Sequence, residues 1–167
     1  DSGMSRGLGD VYKRQVYITF INHMDFTLIE ESFVANATRE EWIFDPDVVQ
    51  ATQNYVRQLI NLRNPYTGIC YKDDATIAVW GLINEPEYST YRQMMLDAKQ
   101  KATFAAWLEA NDHPWNDVYY GKYREAMVRA YIDDLHDILR EAGAEQPVVW
   151  NCNCLLYTSD AADEVRS

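Results

Sequence analysis

Glu85 is the residue in this sequence best placed to do chemistry. It follows Asn84 and precedes Pro86 and Glu87, at the end of an apolar run through Ile77, Ala78, Val79, Trp80, Leu82 and Ile83. A carboxyl group beside an asparagine can give a proton to a leaving group when apolar surroundings or a second carboxylate raise its pKa. Hydrolysis of a glycosidic bond needs such an acid, a second carboxyl group as nucleophile or base, and donors that hold sugar hydroxyls. Glu87 cannot be the second carboxyl, because it sits two residues along the same chain, whereas a retaining enzyme sets its pair across the sugar at about 5 to 5.5 Å. It reads as a rim or surface carboxylate. Asn-Glu-Pro is a short signal by itself, and its weight comes from the elements around it.

The run Ile77 to Ile83 is bounded by Lys72, Asp73 and Asp74 before it and Pro86 after it. That pattern predicts a strand buried on both faces, as in a parallel sheet. Glu85 then lies at the carboxyl end of the strand, where enzymes built on parallel sheets and barrels keep their chemistry. Val16 to Ile21 (VYITFI) has the same form and ends at Asn22 and His23. These two are candidate substrate contacts, although a histidine at a strand end is equally satisfied by a backbone carbonyl. Residues 26 to 44 read as a long loop.

Asp45 to Leu62 reads as a helix. Asp45 caps it, Pro46 suits its first position and Asp47 its positive dipole end. Its apolar stripe runs through Val48 or Val49, Thr52, Tyr55 or Val56, and Leu59 or Ile60, and Asn64 and Pro65 stop it. Strand, loop, helix, strand is a βαβ unit, with a right-handed crossover expected. Beyond Glu87, Tyr91 to Ala110 carries Met94, Met95, Ala98, Ala102, Ala105 and Leu108 at helical spacing, which predicts one inserted helix packed over the strand end. Residues 111 to 120 form an aromatic loop with His113 and Trp115. Trp115 is a candidate to stack on a sugar face, or else a pin that holds the loop down. Gly121 to Ala142 is a further helix closed by Gly143, with Tyr123, Met127, Ala130 or Tyr131, Leu135 and Ile138 or Leu139 facing inward and His136 on its surface. Val148 to Trp150 is a third strand.

The chain has 167 residues, 47% of them hydrophobic, and a formal net charge of −11. That balance disfavours nucleic acid and anionic membranes as partners and suits a neutral ligand. No stretch approaches the ~18 apolar residues of a membrane span, and no partner protein is implied. The two ends do not read like the middle. Residues 4 to 15 (MSRGLGDVYKRQ) and 154 to 164 (CLLYTSDAADE) resemble translated adapter sequences from DNA sequencing libraries. The expected division is therefore a non-native segment 1–15, a body 16–151 that is an internal slice of a longer protein, and a non-native segment 152–167. Within the body Cys70 is the one secure cysteine, expected to be a small buried hydrophobe. It offers neither a disulfide framework nor a metal cluster, so no metal or cofactor is expected.

From Asp45 to Pro86, and above all in NPYTG, Tyr71 to Asp74 and WGLINEP, the sequence resembles glycoside hydrolase family 5 in a cellulase-like branch. These enzymes are (β/α)8 barrels of clan A. The resemblance implies an α/β fold, a partial TIM barrel whose third, fourth and fifth strands are Val16 to Ile21, Ile77 to Ile83 and Val148 to Trp150. It implies that Glu85 is the general acid/base, that Asn84 contacts the sugar 2-hydroxyl, and that the substrate is a β-linked carbohydrate. The family's nucleophile is a second glutamate at the end of the seventh strand, which the chain does not reach, so the chain alone is expected to be inactive. A barrel that kept its sugar contacts but lost the nucleophile, and so only binds carbohydrate, is the alternative. Secretion or a periplasmic location would follow from the resemblance. Residues 87 to 120 match nothing in it.

Overall fold

The computed structural model describes residues 15–21, 42–84, 86 and 88–151. Its elements in chain order are β1 (Val16–Ile21), α1 (Pro46–Asn61), a 3-10 turn (Tyr71–Asp73), β2 (Ile77–Asn84), α2 (Tyr91–Leu96), α3 (Ala98–Ala110), α4 (Asp117–Glu141) and β3 (Val148–Asn151). The strands form one parallel sheet in the order β1-β2-β3. Each strand thus lies beside its predecessor, as in a segment of a (β/α)8 barrel. The expected partial α/β barrel is the fold seen. No helix among the described residues is long and apolar enough to cross a membrane.

Alternation along the strands divides the sheet into two faces. On one face Phe20 stacks on Trp80 with ring centroids 5.4 Å apart, and Trp150 meets Trp42, whose other edge meets Tyr131 of α4. This is the face the helices cover. Trp80 is wholly buried there, and its Nε1 donates to Gln146 Oε1 at 3.1 Å, which satisfies the one polar atom that would make its burial costly. The opposite face carries Tyr17, Thr19, Val79, Gly81 and Val149, with Tyr17 and Val149 exposed. In a barrel this is the face that turns inward. A Cβ at Gly81 would lie 2.5 Å from the Tyr17 hydroxyl and 3.0 Å from Thr19 Oγ1, so a larger residue there displaces the exposed Tyr17 ring.

The helix α1 forms as the sequence predicts. Asp45 Oδ1 accepts from the Asp47 N–H at 3.0 Å, and Val48, Ala51, Thr52, Val56 and Ile60 are buried. The helix spans Pro46–Asn61 with Asp45 and Leu62 as its caps, the bounds expected. Leu62 is already extended, and the chain then folds back so that Arg63 bridges Cys70 and the Tyr71 N–H reaches Leu62 O at 3.1 Å. Cys70 is therefore half-buried at the edge of this turn and not a core residue.

Two further expectations are corrected by capping side chains. Residues 91 to 110 form two helices and not one, because Asp97 is extended and caps α3 by accepting from Gln100 N–H at 3.0 Å, while Thr90 and Gln93 form a capping box on α2. The break re-phases the stripe: Met94, Gln100, Phe104 and Leu108 are buried, whereas Met95, Ala98 and Ala102 are exposed. The ring contacts of α3 run to α4, with Phe104 packed on Tyr120 and Tyr123, and not across the strand end. The helix α4 begins at Asp117, a turn before Gly121, because Asn116 Oδ1 accepts from the Tyr119 N–H at 3.0 Å. It closes as expected at Gly143, whose φ of 87° lets the Gly143 N–H reach Arg140 O and the Ala144 N–H reach Leu139 O. His136 is exposed beside Asp137, as expected.

Candidate functional site

The parallel register sets where chemistry can gather. Ile21 pairs with Ile83, and Asn84 pairs with Asn151, so the carboxyl ends of all three strands lie side by side. Asn84 is the last residue of β2, half-buried and not without a partner. Glu85 follows it directly. Glu85, Asn22, His23 and Glu87 lie outside the described residues, as do both adapter-like ends.

Trp115 sits on the loop before α4. Its Nε1 donates to the Tyr91 hydroxyl at 2.9 Å, and its ring meets Phe104 edge-on at 4.9 Å. These contacts pin the loop, yet the residue remains 40% exposed. Among the described contacts none joins Trp115 to a strand end. His113 is stacked between the same helices, against Tyr119 and Trp107.

What lies just beyond the strand ends is an aromatic cluster that residue-by-residue reading of the sequence passes over. Tyr88 packs against Trp42 at 5.7 Å, and Trp42 packs against Trp150 at the end of β3 at 5.9 Å. From α4 the Tyr120 hydroxyl donates to Ser89 O at 2.9 Å, and the Arg124 guanidinium lies over both Tyr88 and Tyr120. Burial pushes the Tyr120 phenol up to about 12, against the opposing charge of Arg124. The phenol therefore stays a neutral donor across the physiological range. The signal in sequence was Tyr120 and Arg124 at helical i, i+4 spacing, visible once Asn116 is read as a cap.

Elsewhere, a cavity of about 290 Å³ opens between α1 and α4, with Phe44, Val49, Trp107, Tyr123 and Met127 in its wall. It takes no residue from the strand ends. Among the described residues no three His, Cys, Asp or Glu side chains are grouped to hold a metal.

No protein-family model matches the chain. It is 36% identical over 61 residues to mannan endo-1,4-β-mannosidase 5 of Arabidopsis thaliana, covering 36% of this chain and 14% of the relative. It is 35% identical over 75 residues to mannan endo-1,4-β-mannosidase 1 of the same plant, covering 43% and 18%. It is 37% identical over 57 residues to mannan endo-1,4-β-mannosidase 2 of Oryza sativa subsp. japonica, covering 34% and 13%. The chain thus spans less than a fifth of the length of these curated relatives. Among solved structures, the endo-1,4-β-D-mannanase of Thermotoga petrophila RKU-1 superposes with a TM-score of 0.46 at 20% identity, over 83% of this chain and 31% of that one. The endo-1,4-β-mannanase of Rhizomucor miehei does so with a TM-score of 0.37 at 19% identity, over 57% and 29%. The relatives are glycoside hydrolases, and they bear out the resemblance to that class of enzyme.

Proposed function

We propose that this chain is part of a retaining glycoside hydrolase that cleaves β-1,4-linked mannan inside the polymer. Glu85 is the general acid/base: it protonates the departing sugar oxygen, then takes a proton from the water that releases the glycosyl-enzyme. Asn84 holds the 2-hydroxyl of the sugar whose bond breaks. The nucleophile is a second carboxylate from a part of the barrel that this chain does not contain, and the chain by itself does not turn over. Asn22, His23 and Trp115 are secondary substrate contacts.

The observation that carries this reading is the strand β2, buried from Trp80 to Ile83 and ending in Asn84 immediately before Glu85, beside the ends of β1 and β3. The mannan-cleaving relatives support the choice of substrate. The strongly acidic chain is compatible with a neutral polysaccharide and unsuited to a polyanion.

The test is the complete reading frame, expressed and assayed on β-mannan and β-glucan with Glu85→Gln beside it. Cleavage of mannan that falls by about 10²- to 10⁴-fold in the variant is the expected result. Unchanged activity in Glu85→Gln removes Glu85 from the mechanism, and binding of mannan without cleavage assigns the protein to the carbohydrate-binding alternative.

A further inference from the structure

Three buried polar atoms near the strand ends have no hydrogen-bond partner: Ser89 Oγ, Arg124 Nε and Trp150 Nε1. Arg124 is the unusual member. Arg124 is half-buried with its Nε cut off from water, and it makes no ion pair among the described residues. It is held by other means. Its Cζ lies 5.6 Å from the Tyr88 ring centroid and 5.7 Å from that of Tyr120, and its Nη1 donates to Ser89 O at 3.3 Å. That same carbonyl accepts the Tyr120 hydroxyl at 2.9 Å, so one peptide oxygen takes two donors from successive turns of α4.

Apart from the Tyr120 ring, the contacts of Arg124 fall on Tyr88 and Ser89. The short span around Glu85 therefore has an anchored residue at each end, Asn84 by its register beside Asn151 and Ser89 by α4. Glu85 lies in that short span. Ser89 is 1% exposed, which marks the second anchor as a built contact and not a surface accident.

We propose that Arg124 is a positioning residue for the acid: by clamping Tyr88 and Ser89 to α4, it fixes the chain that leaves Glu85. Planar stacking on two rings and a directed N–H are properties of arginine that lysine does not reproduce. The inference rests on the reading of Glu85 as general acid/base and adds the residue that holds it.

General acid catalysis matters only when the leaving group is poor, and this gives a readout that a merely structural role would not move. In the complete enzyme, kcat/KM reports the step that breaks the glycosidic bond. Arg124→Met is expected to lower kcat/KM on a manno-oligosaccharide, whose leaving group is a sugar, by on the order of ten- to a hundredfold. On a 2,4-dinitrophenyl β-mannoside, whose leaving group departs without a proton, the loss is expected to stay under about threefold. Tyr120→Phe, which removes the phenol bond to Ser89 but keeps the ring, shows the same selectivity with a smaller loss. If Arg124→Met does not fold, Arg124→Lys and Tyr120→Phe carry the test. Equal losses on the two substrates, or no loss on either, overturn the proposal. Glu85→Gln separates the two claims: if it lacks this dependence on the leaving group, the reading of Glu85 fails and not the clamp alone.

Discussion

Phe104 holds the inserted helices to the rest of the chain, and removing its ring has a calculable consequence. The residue is wholly buried, with ring centroids of Trp115, Tyr123, Tyr120 and Trp107 at 4.9, 5.2, 5.4 and 6.5 Å. Truncation of a buried phenylalanine to alanine costs about 3 to 5 kcal/mol, from lost burial and the cavity left behind. Aromatic pairing adds roughly 0.5 to 1.5 kcal/mol per good pair. Phe104→Ala should therefore destabilise by about 4 kcal/mol, a large part of the 5 to 15 kcal/mol usual for a domain. Phe104→Leu, which keeps much of the volume but loses the ring edges, should cost about 1 to 1.5 kcal/mol. Urea unfolding followed by tryptophan fluorescence measures both. The effect is also local: in Phe104→Ala the Trp115 indole loses its edge contact and becomes more accessible to acrylamide, while buried Trp80 does not. A cost under about 1 kcal/mol for Phe104→Ala, or quenching that rises at both tryptophans alike, would refute the packing argument.

Asp45→Ala removes a helix cap and a partner of Lys99, and should cost about 1 to 2 kcal/mol, mostly from the cap. Lys99→Met should cost no more than about 0.5 kcal/mol, since Lys99 is 66% exposed and solvent screens the pair; urea midpoints for the two variants compare them. Gly143→Ala places a Cβ at a φ of 87° in open space, so backbone strain alone should lower stability by about 1 kcal/mol, seen as a drop in Tm. Above pH 10 the unfolded chain ionises its tyrosines while folded Tyr120 holds its proton until about 12, and burial also raises Tyr131. Both contributions are fully present below pH 10, so urea midpoints should fall as pH rises from there towards 12.

The strands were legible because β-branched and aromatic runs ending in polar clusters have few other readings. Ile77 to Ile83 is buried except at half-buried Ala78 and Val79, and Val16 to Ile21 pairs beside it as expected. The helix α1 was legible because Asp45, Pro46 and Asp47 agree with one another at its start. The errors came where a single side chain decided the outcome. Asp97 could have been one more charge on a continuous helix face, and only its bond to the Gln100 N–H splits α2 from α3. Asn116 looked like part of a loop, because the cap at the Tyr119 N–H is a geometric fact that composition does not carry. Asn84 was readable from its place at a strand end. Arg124 was not, because its role depends on Tyr88 and Ser89, far off in sequence and brought near only by the packing of α4. Trp115 was read as a ligand platform or a pin; its contacts with Tyr91 and Phe104 account for the pin.

The order of the sheet also bears on how the chain comes to be folded. To pair β1 with β2, Val16 must meet Ile77, and to pair β2 with β3, Trp80 must meet Val148. Each ladder closes a long loop, and parallel ladders of this kind form slowly because loop entropy is lost before any contact offsets it. The helices inside those loops form much faster and shorten the search. Since β2 and β3 each join the strand made just before them, the sheet can grow outward in the order of synthesis. The order of the ladders is thus a record of the order of assembly: β2 gains its first partner from chain already made, and its second only when α4 is complete.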